Sequence, residues 1–260
     1  MNPFGPNPIR KAFLDRRMTL GAWIQVGHPA SAEILSRAGY PWIAVDLEHT
    51  DITLETAANC FRAMEAGGSI PFARVRENDT LAIRLALDIG ARGVLVPLVH
   101  DAAGAQKAVR AAKYPPKGVR GFAYGRMNGW GSDFDAYAKA ANDDIAVIAM
   151  IESREAVENI ASILAVDGID GVFLGPYDMS GSYGVPGETN HPAVREACRK
   201  VVEACRLAGK AAGLHVVRPN EANLKALVED GFTFAALGTD SVFLGEGAVA
   251  ALERGKKITG

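Results

Sequence analysis

Several residues able to do chemistry fall where short apolar runs end. Trp23 and Gln25 close one run, Asp46, Glu48 and His49 a second, and Arg74 and Arg76 a third. Pro97 ends the next, Glu152 follows Met150, and Asp178 closes the turn Gly175-Pro176-Tyr177-Asp178. His215 and Gly238-Thr239-Asp240 end the last two. Polar groups at one end of otherwise apolar runs are costly to bury unless they pair or meet a ligand.

Glu152 and Asp178 end neighbouring runs and could together chelate one hard divalent ion, leaving positions open for substrate. The plainer alternative has Glu152 opening a helix through Glu152-Ser-Arg-Glu155 and Asp178 capping a loop. A glycosidase-type acid and base is a third use of two carboxylates, less apt beside Arg74 and His49, which suit a carboxylate substrate. Arg74 sits in Pro71-Phe-Ala-Arg74-Val, and a buried arginine must pair or bind an anion. Its planar fork suits a carboxylate or enolate oxygen. A structural ion pair with a strand-end acid is the alternative, and Arg76 reads as a loop residue.

His49, beside Asp46 and Glu48, could be a general base or proton shuttle. Asp88 could orient it only if the fold brings the two together, and a hydrogen-bonded core histidine is the plainer option. His28 and His215 also lie near strand ends, whereas His100 and His191 read as loop or helix-start residues. No H-x-H or H-E-x-x-H spacing supports a histidine metal site. In Gly175-Pro176-Tyr177-Asp178-Met-Ser180-Gly, small residues let backbone N–H groups approach an anion, unless this is an ordinary turn. Gly238-Thr239-Asp240 reads equally as a plain helix cap, and only Arg218 would reinforce a phosphate site near it.

Eight apolar runs must position these groups: Gly21–Val26, Trp42–Leu47, Pro71–Val75, Gly93–Leu98, Ile145–Ile151, Gly171–Gly175, Ala211–Val216 and Phe232–Gly238. They are continuous rather than alternating, as strands buried on both faces read. Amphipathic segments such as Asp79–Ile89 and Asp101–Ala112 lie between them, with capping residues at their starts. Gly39, Gly90, Gly168, Gly209 and Gly231 close such segments just before a strand, as left-handed helix ends do. The pattern predicts a single (β/α)8 barrel of the α/β class. A doubly wound sheet is the competitor, but no G-x-G-x-x-G or P-loop follows a strand. Residues 1–18 are expected to form an N-terminal arm and first helix, with the first eight residues a loose arm. Residues 19–260 then make the catalytic barrel. Tyr114–Asp144 is the longest irregular piece, and a long loop in a compact domain is more often functional than idle.

The 260 residues are ample for one buried core. Twenty-eight Lys and Arg against 30 Asp and Glu leave a net charge of −2, with no electrostatic footprint for nucleic acid or an anionic membrane. Three cysteines with no C-x-x-C fit a reducing compartment. The first residues are not a secretory signal, and no stretch is long enough to span a bilayer. A cytoplasmic protein is expected.

With these pieces placed, the chain resembles the metal-dependent (class II) pyruvate aldolases of the 4-hydroxy-2-oxoheptanedioate and 2-dehydro-3-deoxyglucarate aldolase family, from about Leu20 to about Leu244. The stretches that carry it are Ser31-Ala-Glu-Ile-Leu, Ala38-Gly-Tyr-Pro-Trp42, Val45-Asp-Leu-Glu-His49, Arg74 through Asn78-Asp79, and Leu87-Asp-Ile-Gly-Ala91. Further on come Val94-Leu-Val-Pro-Leu98, Tyr114-Pro-Pro-Lys-Gly-Val-Arg-Gly121, Ile151-Glu152 and Gly171-Val-Phe-Leu-Gly-Pro-Tyr-Asp-Met-Ser180. The resemblance implies Glu152 and Asp178 as ligands of one divalent metal ion, Mg²⁺ or Mn²⁺, with Co²⁺ a further option. It implies Arg74 steadying a pyruvate enolate, His49 and Asp88 as a proton-transfer pair, and Trp23 in the site. The segment Gly175, Pro176, Tyr177 and Asp178 would hold the pyruvate carboxylate. It also implies a small-molecule 2-oxo acid and aldehyde as substrates, an exchanged C-terminal helix, and a homo-hexamer.

Some positions depart from the family's usual residues. Met150 stands where many members have Gln, Leu47 where many have Gly, Val75 where many have Pro, and Gly121–Trp130 lacks the Ala- and Arg-rich form of the sugar-acid enzymes. These differences bear on the acceptor aldehyde more than on the pyruvate half. A citramalyl-type lyase and a non-catalytic binding barrel are the other expectations; no basic cluster for a nucleotide-like tail favours the former.

Overall fold

The computed structural model describes residues 5–259. The first half runs α1 (Pro8–Leu14), β1 (Thr19–Ile24), α2 (Pro29–Arg37), β2 (Trp42–Asp46), α3 (Leu54–Gly67), β3 (Ile70–Arg74), α4 (Thr80–Asp88), β4 (Gly93–Val96) and α5 (Ala102–Ala112). A 3₁₀ segment (Arg126–Gly131) and α6 (Phe134–Asp144) follow, then β5 (Ala146–Ile151), α7 (Arg154–Glu158), α8 (Ile160–Leu164), β6 (Gly171–Leu174) and α9 (Pro176–Ser182). The chain ends with α10 (Pro192–Ala208), β7 (Ala211–Val216), α11 (Glu221–Glu229), β8 (Phe234–Thr239) and α12 (Asp240–Thr259). The strands β1 to β8 pair in sequence order, all in parallel, and close into a (β/α)8 barrel. All eight expected strands are present.

Strand alternation sorts each apolar run onto two surfaces. Outward residues such as Ile43, Val45, Ala73, Val94, Val147, Ile151 and Val172 pack under the helices. Inward residues Trp42, Phe72, Phe173 and Phe234 fill the barrel itself. The rings need glycine opposite them. A Cβ on Gly21 would meet the Trp42 ring at 2.2 Å, one on Gly93 would meet Phe72 at 2.1 Å, and one on Gly213 would meet Phe234 at 2.3 Å. The same inward parity carries the chain up to Asp46, Arg74 and Glu152 at the C-terminal end.

The five glycines expected to close helices all adopt positive φ, from 66° at Gly209 to 114° at Gly90. Asp79 and Asp101 cap α4 and α5 through their carboxylates. Two expectations are corrected. The arm is not loose over the described residues from Gly5 onward; Met1–Phe4 lie outside them. Asn7 caps α1, and its amide donates to the carbonyls of Arg92 (2.9 Å) and Asp144 (3.0 Å). Phe13 of α1 then sits 4.5 Å from Phe234, ring to ring, and closes the N-terminal end of the barrel. Nor is Tyr114–Asp144 irregular throughout, because Phe134–Asp144 forms α6. No helix among the described residues is long and apolar enough to cross a membrane.

Candidate active site

The C-terminal end of the barrel holds a cavity of about 300 Å³ lined by Trp23, Arg74, Met150, Glu152, Phe173, Gly175, Pro176, Tyr177, Asp178 and His215 among others. Most of the expected site residues therefore share one space. A hollow of about 320 Å³ lies at the opposite end, beside Gly90 and Arg126, and holds neither Glu152 nor Asp178.

Asp46 organises the strand-2 side. Its side chain is fully buried, and it faces Arg74 in the β2–β3 register. Arg74 Nε donates to Asp46 Oδ1 at 3.0 Å, and Arg74 Nη2 donates to Oδ2. Trp23 Nε1 donates to Oδ2 at 3.2 Å, and the backbone amides of Glu48 and His49 donate to Oδ1 at 3.1 and 3.2 Å. Burial alone would raise the Asp46 carboxyl, but the Arg74 fork and these donors outweigh it and hold the group below its ordinary range. The structural ion pair weighed for Arg74 thus exists. It uses two of five guanidinium N–H donors, leaving the others for an oxyanion. The guanidinium also lies 5.2 Å from the Trp23 ring centroid, which fixes its plane.

Glu152 follows β5, is nearly buried, and accepts from the Leu98 amide at 3.3 Å. It does not cap the following helix, since Ser153 does so through its hydroxyl. Gly175 makes room for it, because a Cβ there would come within 2.8 Å of Glu152 Cγ. Burial, with Glu48 and Asp178 nearby, pushes the Glu152 carboxyl up to about 7, against the pull of the Leu98 amide. Burial likewise raises Glu48, whose buried Oε2 has no hydrogen-bond partner although Arg74 Nη1 is 3.3 Å away. Asp178 lies in the first turn of α9, whose start has no side-chain cap. Its first amides are left for an anion.

The remaining histidines sort clearly. His49 is not a core residue and does not line the cavity: its side chain is 62% exposed, with Nε2 3.8 Å from Glu48 Oε2, which in turn lies 3.3 Å from Arg74 Nη1. His28 and His191 cap α2 and α10, and His100 Nδ1 pairs with the Ser153 hydroxyl at 3.0 Å. Asp240 is more than a cap, since its carboxylate accepts from the amides of Gln25 and Val26. Arg218 is taken by Glu246 at 2.7 Å. The expected pairing of Asp88 with His49 does not form within one chain. Asp88 ends α4, which runs antiparallel to the strands, so it lies at the far end of the barrel, bonded to Arg120 Nη2 at 2.7 Å. Asp46 and Glu48 were visible at the strand end but carried no role in the sequence. The parity of inward residues Trp42, Ala44 and Asp46 is the signal that points Asp46 inward.

The sequence profile of the HpcH/HpaI aldolase/citrate lyase family matches residues 19–245. The chain belongs to this family. The 4-hydroxy-2-oxo-heptane-1,7-dioate aldolase of Salmonella arizonae is 40% identical over 98% of this chain and 97% of its own. Among solved structures, an HpcH/HpaI aldolase/citrate lyase family protein from Burkholderia cenocepacia J2315 superposes with a TM-score of 0.91 at 31% identity, covering 96% of this chain and 99% of that one. The HpcH/HpaI aldolase from Desulfitobacterium hafniense DCB-2 gives 0.88 at 30%, covering 95% and 96%. This HpcH/HpaI family member is thus an aldolase-type lyase on a (β/α)8 barrel, and its cavity lies where such barrels hold their catalytic residues.

Proposed function

We propose that this aldolase reversibly cleaves 4-hydroxy-2-oxo acids to pyruvate, or a related 2-oxo acid, and an aldehyde, with a divalent metal ion bound by Glu152 and Asp178. The observation that carries the proposal is the convergence of Glu152, Asp178 and Arg74 on one cavity, with an excess of negative charge. Arg74 is already engaged by Asp46 and lies 3.3 Å from Glu48, so Glu152 and Asp178 have no cation of their own. Among the described residues no group of three or more His, Cys, Asp or Glu converges tightly enough to enclose a metal. Two carboxylates with open positions fit Mg²⁺ or Mn²⁺, which retain water and accept substrate oxygens, and Co²⁺ is a further option. When bound, the metal supplies Lewis acidity toward the 2-oxo group.

The chain's own residues do the rest. Arg74, locked by Asp46 and Trp23, presents its remaining N–H donors where the enolate oxygen develops charge. Such preorganised donors are worth about 3–4 kcal/mol each. The uncapped start of α9 at Gly175–Asp178 receives the substrate carboxylate. His49, exposed beside Glu48, takes the 4-hydroxyl proton directly or through water. Asp88 can serve His49 only from a second copy of the chain, in keeping with the homo-hexamer that the family resemblance implies. The long α12 supports that assembly, since Leu244, Val249, Leu252 and Ile258 on it are all exposed, as an exchanged helix requires. Three unpaired thiols support a cytoplasmic setting.

The test incubates the protein with pyruvate and simple aldehydes in Mg²⁺ or Mn²⁺, then adds EDTA. Aldol formation should stop with EDTA and survive borohydride. Activity that persists in EDTA and dies with borohydride would overturn the metal-enolate route in favour of a Schiff base.

A further inference from the structure

His215 has no part in the scheme above, yet it is built into the same cavity. It follows Ala211 and Gly213 on the inward face of β7. Its ring stacks on Trp23 with centroids 5.0 Å apart, and both residues line the cavity. Nε2 lies 3.1 Å from the carbonyl oxygen of Gly238. A carbonyl only accepts, so Nε2 carries the proton. Burial, reinforced by Arg74, disfavours the imidazolium, although the Gly238 bond opposes it. The neutral ring therefore keeps its lone pair on Nδ1. Nδ1 has no hydrogen-bond partner among the described residues and is not among the buried polar atoms left without one, so it opens to the cavity. The walls beside it are apolar: Trp23, Met150 and Phe173.

We propose that His215 is a specificity-determining residue whose Nδ1 accepts a hydrogen bond from a hydroxyl on the substrate's carbon chain, so that hydroxylated substrates are preferred over their deoxy counterparts. The proposal rests on the aldol reading of this cavity. Among 2-oxo acids and aldehydes a hydroxyl is the available donor, and an alkyl group at that place would leave Nδ1 desolvated and unpaired. The hydroxyl has two sources: C3 of the 2-oxo acid, or the carbon next to the aldehyde.

The experiment separates them. One arm compares hydroxypyruvate with pyruvate, each with propanal. The other compares glycolaldehyde with acetaldehyde, each with pyruvate. The readout is the ratio of kcat/KM, hydroxylated over deoxy, in the wild type, His215→Leu and His215→Asn. In one arm the wild-type ratio should be about tenfold, falling to about one in His215→Leu. His215→Asn keeps an amide oxygen and should retain part of the ratio. A ratio near one in both wild-type arms, or a uniform loss that leaves the ratio intact in His215→Leu, would overturn the proposal. Titration calorimetry of the same four compounds in Mn²⁺ reads binding whether or not turnover occurs. Hydroxyl-selective binding lost in His215→Leu, with no turnover in any arm, would uphold the role of His215 and sink the aldolase reading instead.

Discussion

Replacing Glu152 by Gln should remove the activity and yet stabilise the metal-free protein. The structure gives both sign and size. The Glu152 carboxyl is pushed up to about 7 from an ordinary 4.5, first by burial and then by Glu48 and Asp178. Below pH 4.5 folded and unfolded chains are both protonated there, and the site costs nothing. Between 4.5 and 7 the unfolded chain loses the proton that the folded one keeps, so stability falls as pH rises. Above 7 the full cost remains, at about 1.4 kcal/mol per pK unit or about 3 kcal/mol in all. Glutamine carries no charge, and its carbonyl oxygen can still accept from the Leu98 amide. In EDTA, the advantage of Glu152→Gln should grow from under about 1 kcal/mol at pH 5 to about 3 kcal/mol at pH 8, a rise in Tm of roughly 5–10 °C. Thermal unfolding at one fixed protein concentration, from pH 5 to 8, measures it. Adding Mn²⁺ should raise the wild-type Tm and leave the variant's unchanged. A variant that is less stable than wild type at pH 8 in EDTA, or whose advantage ignores pH, would refute the buried, uncompensated carboxylate.

Three further perturbations probe neighbouring parts of the design. Gly175→Ala brings a Cβ to 2.8 Å from Glu152 Cγ and should weaken the metal half-saturation about tenfold, measured by activity across a Mn²⁺ titration; unchanged half-saturation would mean that the carboxyl moves freely. Arg74→Lys cannot reproduce the fork on Asp46 and should cut kcat about 100-fold, with pyruvate proton exchange falling in step; normal exchange would remove Arg74 from the enolate. Phe13→Ala leaves a void against Phe72 and Phe234 and should cost about 3–5 kcal/mol in urea unfolding, with no change in metal half-saturation; a cost below 1 kcal/mol would mean that α1 does not close the barrel.

Much of the fold was legible because a parallel barrel buries both faces of every strand. A run such as Trp42–Asp46 or Ile70–Arg74 is then apolar up to its last residue, and the polar Asp46 or Arg74 at its end stands out. The docking of α1 was not legible, since Asn7 bonds to carbonyls 85 and 137 residues away. The helix Phe134–Asp144 was hidden behind a Gly-rich approach and starts without a side-chain cap. The partnership of His49 with Asp88 failed within one chain for a topological reason. A helix that returns antiparallel to its strand carries its last residues to the opposite end.

By itself, then, the sequence determined the number of strands, the closing glycines and the end of the barrel where Trp23, Arg74, Glu152 and Asp178 gather. These follow from local period, local backbone conformation and strand direction. Only the tertiary structure decided that Asp46 grips Arg74 and that Gly175 leaves space for Glu152. It alone turned the unbonded nitrogen of His215 toward the cavity. Those are contacts between strands, set by barrel closure and register, and no single stretch of chain contains both partners.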